Sequence, residues 1–196
     1  KISDKSVFDI GFGFAQALKY MKNKGLKVAG LEPSKEGVDY ARDNGIDAIH
    51  CGIERLDLVK GKSEVVLLLN VLEHLRKPEQ TLLNIKEKVL TSDGMLVIEV
   101  PNDFNDFQIV ADAEYNLDEW WVFPPNHINY FSHDSLQELL RGCGYKIIHC
   151  TSSFPLDMFL LFGDQYVGNP KLGRECHNKR VKFEQLMEKH GKVEKL

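Results

Sequence analysis

No apolar run in these 196 residues approaches the roughly 20 needed to cross a bilayer as a helix. The opening Lys-Ile-Ser-Asp-Lys lacks the charged-then-apolar order of an export signal. Cysteine is scarce: Cys51, Cys143, Cys150 and Cys176 show no Cys-x-x-Cys spacing and too low a density for a disulfide framework. A reducing cytoplasm is the expected compartment. Basic charge is short as well. A net charge of −4 with the signs interspersed gives no footprint for nucleic acid, so none is expected as a partner. Repeats, heptads and low-complexity runs are absent. What remains is an ordinary apolar fraction, 43%, in a length that suits one domain with one core.

Short β-rich apolar runs alternate with longer helical patterns. Val7–Ile10, Val28–Leu31, Ile46–His50, Glu64–Leu69, Met95–Val100 and Tyr145–Cys150 read as six strands. Glu64–Leu69 is continuous in Val and Leu, as buried parallel strands are. Between them, Ala15–Asn23, Lys35–Asn44, Glu79–Leu90 and Ser135–Arg141 read as helices. Ser34 is placed to cap the second, and Pro78 to open the third. Residues 103–132 read as a long irregular insertion. Beyond Cys150, the apolar run Phe154–Phe162 and an amphipathic stretch over Arg174–His190 predict C-terminal helices. The apolar run is expected in the core or against a second copy, which would make the protein a homodimer. Strands separated by helices imply βαβ units, hence a doubly wound α/β domain with a mostly parallel sheet. The expected division is a core over 1–150 and a helical segment of the same domain over 151–196. With so little before the first strand, the chain reads as part of a longer protein.

The first strand runs straight into Asp9-Ile10-Gly11-Phe12-Gly13-Phe14-Ala15. Glycines after a strand let the backbone turn sharply and approach a ligand, and the next helix offers free N–H groups at its start. Glu32 ends the second strand about 20 residues on, where a carboxylate can accept from ribose hydroxyls. Together they predict a nucleoside site. A dinucleotide fingerprint would need a third glycine where Gln16 stands, too bulky for close helix–strand packing.

The run DIGFGFA resembles the acidic-x-Gly-x-Gly-x-Gly motif of class I S-adenosylmethionine-dependent methyltransferases, with Ala15 for the last glycine. EVVLLLNVLEHLRKPEQTL resembles the fourth strand and its loop in the branch holding ubiquinone-type and sugar methyltransferases. MLVIEVPN, and the segment from His127 through Phe131-Ser132 to Gly144-Tyr145, extend the likeness over Val7–Cys150. The resemblance implies a Rossmann-like fold and S-adenosylmethionine as cofactor. It implies Asp9, Gly11 and Gly13 at the amino acid part of the cofactor, Glu32 at the ribose and Pro33 near the adenine. Ile53 and Glu54 would enclose the adenine, and Asn70 would sit beside the sulfonium. The family's seventh strand and its N-terminal lid helix cannot be placed on this sequence.

Methyl transfer from a sulfonium needs alignment and a dry site, with a base only for a hydroxyl or acidic C–H acceptor. His127, in Pro124-Pro125-Asn126-His127, and His74, in Glu73-His74, are the candidate catalytic residues. Otherwise His127 would pin its loop and His74 would cap the following helix. Trp120, Trp121, Phe123, Tyr130 and Phe131 either line an acceptor pocket or bury the insertion. Tyr115, Asp103 and Asp106 could add polar contacts. Some ubiquinone-type relatives bind a metal through carboxylates around the Glu-His segment; Asn70 is no carboxylate, and no metal is expected. The resemblance makes a small-molecule acceptor the expected partner, a sugar or sugar nucleotide first and a quinone-like metabolite next. The alternatives are an NAD(P)-dependent oxidoreductase and a non-catalytic module that binds S-adenosylmethionine.

Overall fold

The computed structural model describes residues 5–192. The outermost residues of the expected spans 1–150 and 151–196 lie outside it. Five strands form one parallel sheet in the order β3-β2-β1-β4-β5: β1 Ser6–Ile10, β2 Lys27–Glu32, β3 Asp47–His50, β4 Ser63–Leu69 and β5 Leu90–Glu99. Between β1 and β4 the order reverses direction, which opens a crevice at the carboxyl ends of the strands.

The side-chain alternation of the strands sorts the core onto two faces. Val7 and Leu67 join Leu18 of α1 (Gln16–Asn23) and Val38 and Ala41 of α2 (Lys35–Asp43). Phe8, Ile10, Val66 and Leu68 face the other way, onto Leu82 and Ile85 of α3 (Pro78–Lys88). Leu136, Leu139 and Leu140 of α5 (His133–Gly142) complete that face. Both faces are therefore covered, as a buried parallel sheet requires.

Three expectations are corrected. Tyr145–Cys150 is not a strand, and β5 is an edge of the sheet among the described residues. The start of this segment is tied to α3 instead: the Tyr145 hydroxyl donates to Leu82 O at 2.8 Å, and Lys86 Nζ to Gly144 O at 2.6 Å. β5 begins at Leu90 rather than Met95, because Ser63 pairs with Leu90 and an irregularity absorbs the next residues before Val65 meets Met95. The insertion is not wholly irregular. It holds α4 (Asp106–Tyr115), opened by a reciprocal cap in which Asn105 Oδ1 accepts from Phe107 N and Gln108 N, and Gln108 Oε1 accepts from Asn105 N.

The C-terminal expectation holds in kind. A short α6 (Met158–Leu161) and a long α7 (Pro170–Lys189) follow, with Phe154 seated edge-on to Phe183 at 5.0 Å. All four cysteines are free thiols. Among the described residues no helix is long and apolar enough to cross a membrane.

Candidate functional site

The loop between β1 and α1 turns back on itself through three left-handed residues, Gly11 (φ 75), Gly13 (φ 54) and Ala15 (φ 53). Gly11 N donates to Leu31 O at 2.8 Å, which holds the loop against the end of β2. A Cβ on Gly11 would stand 2.7 Å from Val71 Cγ2, so the loop also abuts the segment that follows β4. Ala15, standing where the resembling motif has glycine, is buried and pays the cost of a left-handed backbone, about 1–2 kcal/mol. Gln16 is exposed. Its bulk is therefore no obstacle to close packing, and the sequence argument against a dinucleotide loses that support.

Glu32 does more than end a strand. Its Oε2 accepts from Gly13 N and its Oε1 from Ser34 N, each at 2.8 Å, and the residue is buried. Each carboxylate oxygen keeps a lone-pair direction free for a hydroxyl. Ser34 in turn caps α2, its Oγ accepting from Gly37 N at 3.3 Å. Gly37 packs under the loop: a Cβ there would lie 2.3 Å from Gly13 O. Sequence reading missed this glycine, whose constraint comes from a segment 24 positions earlier in the chain. Glu32→Ala is expected to weaken S-adenosylmethionine binding at least tenfold, by calorimetry, and to lower the melting temperature. Glu32→Gln should recover part of the stability, since one amide oxygen can still accept from the loop.

Asp9 is buried at the end of β1. Burial, reinforced by the charge of Glu32, pushes its carboxyl up to about 7. The consequence for stability has a definite sign. The folded chain holds this proton from its ordinary value near 3.8 up to about 7, whereas the unfolded chain releases it. The stability Asp9 confers is present below the lower value and lost as pH rises through the upper, on the order of 4 kcal/mol. A cationic ligand group beside Asp9 would bind better to the carboxylate form. S-adenosylmethionine affinity is therefore expected to rise between about pH 6 and 8. Asp9→Asn should flatten both trends, in denaturant titrations and in calorimetry across pH.

The other expected residues border this loop. His50 Nε2 meets Pro33 O at 3.0 Å, and Cys51 N donates to Glu32 O at 3.2 Å, bringing the turn Ile53–Leu58 alongside. Ile53 is half-buried against the core; Glu54 is exposed. Asn70 is left-handed at the end of β4, its N donating to Glu99 O at 2.8 Å.

A second group lies two residues beyond Val71. Glu73 and His74 close a short turn, Leu72–His74, and the insertion is fastened to it. Glu73 O accepts from Ile128 N and Asn129 N, each at 3.0 Å, and Asn129 Nδ2 donates to Leu75 O at 2.6 Å. His74 does not cap α3, whose N-cap is Lys77 without a side-chain bond. Its Nδ1 meets Asn126 O at 2.6 Å instead. His127 lies edge-on to His74, ring centroids 5.0 Å apart, with Phe123 and Tyr130 on its other sides. Tyr130 Oη accepts from Phe123 N and donates to His127 O, so the loop is pinned by Tyr130 rather than by the imidazole. Asp103 is buried nearby, its carboxyl held above the ordinary range by burial and drawn back down by His127. The aromatic residues divide. Trp121 and Phe131 are buried and hold the insertion down, while Phe123 stays exposed beside His127.

The crevice thus carries a glycine loop with an acidic strand end on one side and a histidine pair on the other, joined through the contact of Gly11 with Val71. The profile of a methyltransferase-domain family matches residues 1–150, and the chain belongs to that family. Ubiquinone biosynthesis O-methyltransferases from Rickettsia canadensis and Rickettsia conorii are 27% and 30% identical to it, over 74% and 66% of this chain. The chain spans only 64% and 46% of their lengths. Among solved structures, an S-adenosylmethionine-dependent methyltransferase from Archaeoglobus fulgidus superposes with a TM-score of 0.56 at 18% identity, covering 88% of this chain and 81% of its own. The [4+2]-cyclase SpnF superposes at 0.59 with 18% identity, covering 93% and 71%. These two share the fold.

Proposed function

We propose that this chain transfers a methyl group from S-adenosylmethionine to a hydroxyl of a small acceptor. The observation that carries this reading is the contact between Gly11 and Val71, which sets the cofactor loop against the segment bearing Glu73 and His74. Asp9, Gly11 and Gly13 would meet the methionine end of the cofactor, and Glu32 the ribose. Pro33, Ile53 and Glu54 would border the adenine, and Asn70 the sulfonium. The sulfonium supplies an activated methyl group; the chain's part is to align it, exclude water and handle the acceptor's proton. His127 and His74 would take on that last task. An exposed aromatic ring at Phe123, beside His127, suits a flat phenolic acceptor, in keeping with relatives named for O-methylation in ubiquinone biosynthesis. A sugar hydroxyl, the first expectation from sequence, would use the same chemistry and serves as the comparison substrate.

The test is calorimetric titration with S-adenosylmethionine, S-adenosylhomocysteine and NADH in parallel. Micromolar binding of the first two and none of NADH is expected. Binding of NADH alone would overturn the reading. Once the cofactor binds, turnover of catechol-type and sugar acceptors separates the two acceptor classes.

A further inference from the structure

We infer that Asp103 is a positioning residue: its carboxylate takes the Nδ1–H of His127 and so presents Nε2 to the acceptor hydroxyl. This rests on, and deepens, the reading of His127 as the group that receives the acceptor's proton. Two unpartnered atoms of complementary chemistry carry it. Asp103 is 3% exposed, and its Oδ2 is buried without a hydrogen-bond partner. His127 Nδ1 is buried without one as well, whereas Nε2 is not enclosed in this way. Native chains rarely leave such atoms unpaired, and those that remain unpaired gather where chemistry uses them. A carboxylate only accepts, so the ring nitrogen it holds must carry the proton. The other nitrogen then keeps its lone pair for the acceptor.

Both main chains are fixed around Tyr130. Asp103 N donates to Phe131 O at 2.8 Å, and His127 N to Phe123 O at 3.0 Å, while His127 O accepts from Tyr130 Oη. Phe104 is left-handed (φ 55), an unfavourable backbone for an aromatic residue. Its ring lies edge-on to Trp121 and Tyr130, at 5.6 and 5.9 Å. The turn there keeps Asp103 inside while Phe104 stays exposed. Side-chain rotation closes the bond from Asp103 to His127, and bonds of this kind are commonly long until substrate binds. Among the charged groups that bear on the Asp103 carboxyl, His127 is foremost, ahead of Glu73 and Asp157. Glu73 is the rival partner for His127, with one oxygen within 4.8 Å of a ring nitrogen of both histidines. Its Oε1 already faces His74 Nε2 at 3.7 Å, and His74 Nδ1 is engaged with Asn126 O. Glu73 therefore belongs with His74. In the transfer step, His127 Nε2 takes the hydroxyl proton as the oxygen's electron pair bonds to the methyl carbon. The pair of the broken C–S bond stays on sulfur. The positive charge thus passes to the imidazole, where Asp103 meets it, and the proton later leaves to water.

The test reads the ring itself. In protein labelled with nitrogen-15 histidine, at alkaline pH where the ring is neutral, His127 is assigned by the signals lost in His127→Ala. The Nδ1–H tautomer is expected in the parent. Asp103→Asn, whose amide can donate to Nδ1, should turn the ring to the Nε2–H tautomer. It should also lower turnover of a catechol-type acceptor about a hundredfold or more, as a wrong tautomer does in other histidine–carboxylate pairs. KM and S-adenosylmethionine binding should change little. Asp103→Ala, which offers no donor, should leave the two tautomers mixed, and Glu73→Gln should leave the His127 signals as they are in the parent. A parent ring already protonated at Nε2 overturns the inference. So does a tautomer that ignores both Asp103 variants, or one that follows Glu73→Gln instead. The spectra need neither cofactor nor acceptor, so they decide the role of Asp103 separately from whether the chain transfers methyl groups.

Discussion

Gly37→Ala is expected to lower the melting temperature by several degrees and to weaken S-adenosylmethionine binding tenfold or more. Helix propensity alone gives the opposite sign: in a helix, alanine is favoured over glycine by about 1 kcal/mol. Packing decides against it. The new methyl would lie 2.3 Å from Gly13 O and 3.2 Å from Glu32 Cγ, and the nearest atom is backbone, which cannot swing aside as a side chain can. Overpacking of this kind costs about 1–3 kcal/mol, more where a main chain must move. The displaced segment is the one whose N–H is held by Glu32, so stability and cofactor affinity should fall together. Gly173→Ala on α7 supplies the control, since nothing lies within 4 Å of a Cβ there. It should leave the melting temperature unchanged or raise it slightly. A Gly37→Ala protein as stable as Gly173→Ala would mean that the loop yields freely, and its role in fixing the cofactor would fall.

The same distinction, between what a local pattern carries and what only the assembled chain carries, runs through the fold. The first five strands were legible in place, if not in every boundary, because short apolar runs punctuated by Gly and Pro, continuous in Val and Leu at β4, have few alternatives to a buried parallel strand. Tyr145–Cys150 has the same apolar look, yet propensity does not supply a neighbour. Its Tyr145 is drawn to α3, and Ile148 is left 66% exposed. α4 lies in a stretch whose apolar residues follow no clear helical stripe, although the Asn105–Gln108 cap, a helix-start signal, stands in the sequence. In the candidate site, Glu32 was found by its position at a strand end, but its bonds to Gly13 and Ser34 were not. The role of Glu73 was hidden beside His74 because the segment its carbonyl fastens, Ile128-Asn129, lies in an insertion whose path no local rule predicts.

That insertion makes His127 the residue whose loss should cost the most in turnover. His127→Ala is expected to reduce turnover by about 10²–10⁴, the span ordinarily lost with a positioned proton-handling group, while cofactor affinity stays nearly unchanged. The separation follows from where its bonds lie. The loop's fastenings run through the main chain at Glu73 and Phe123 and through the side chains of Asn129 and Tyr130, and all survive truncation to alanine. Removing the imidazole also removes an unpartnered buried nitrogen, so little stability should be lost. A loss of turnover with an unshifted melting temperature and an unshifted S-adenosylmethionine titration would place His127 on the acceptor side of the reaction. Parental turnover in the variant would reduce it to a packing residue. A variant that no longer binds cofactor would instead show that the insertion shapes the glycine loop through Val71, and the acceptor would have to be sought elsewhere along the crevice.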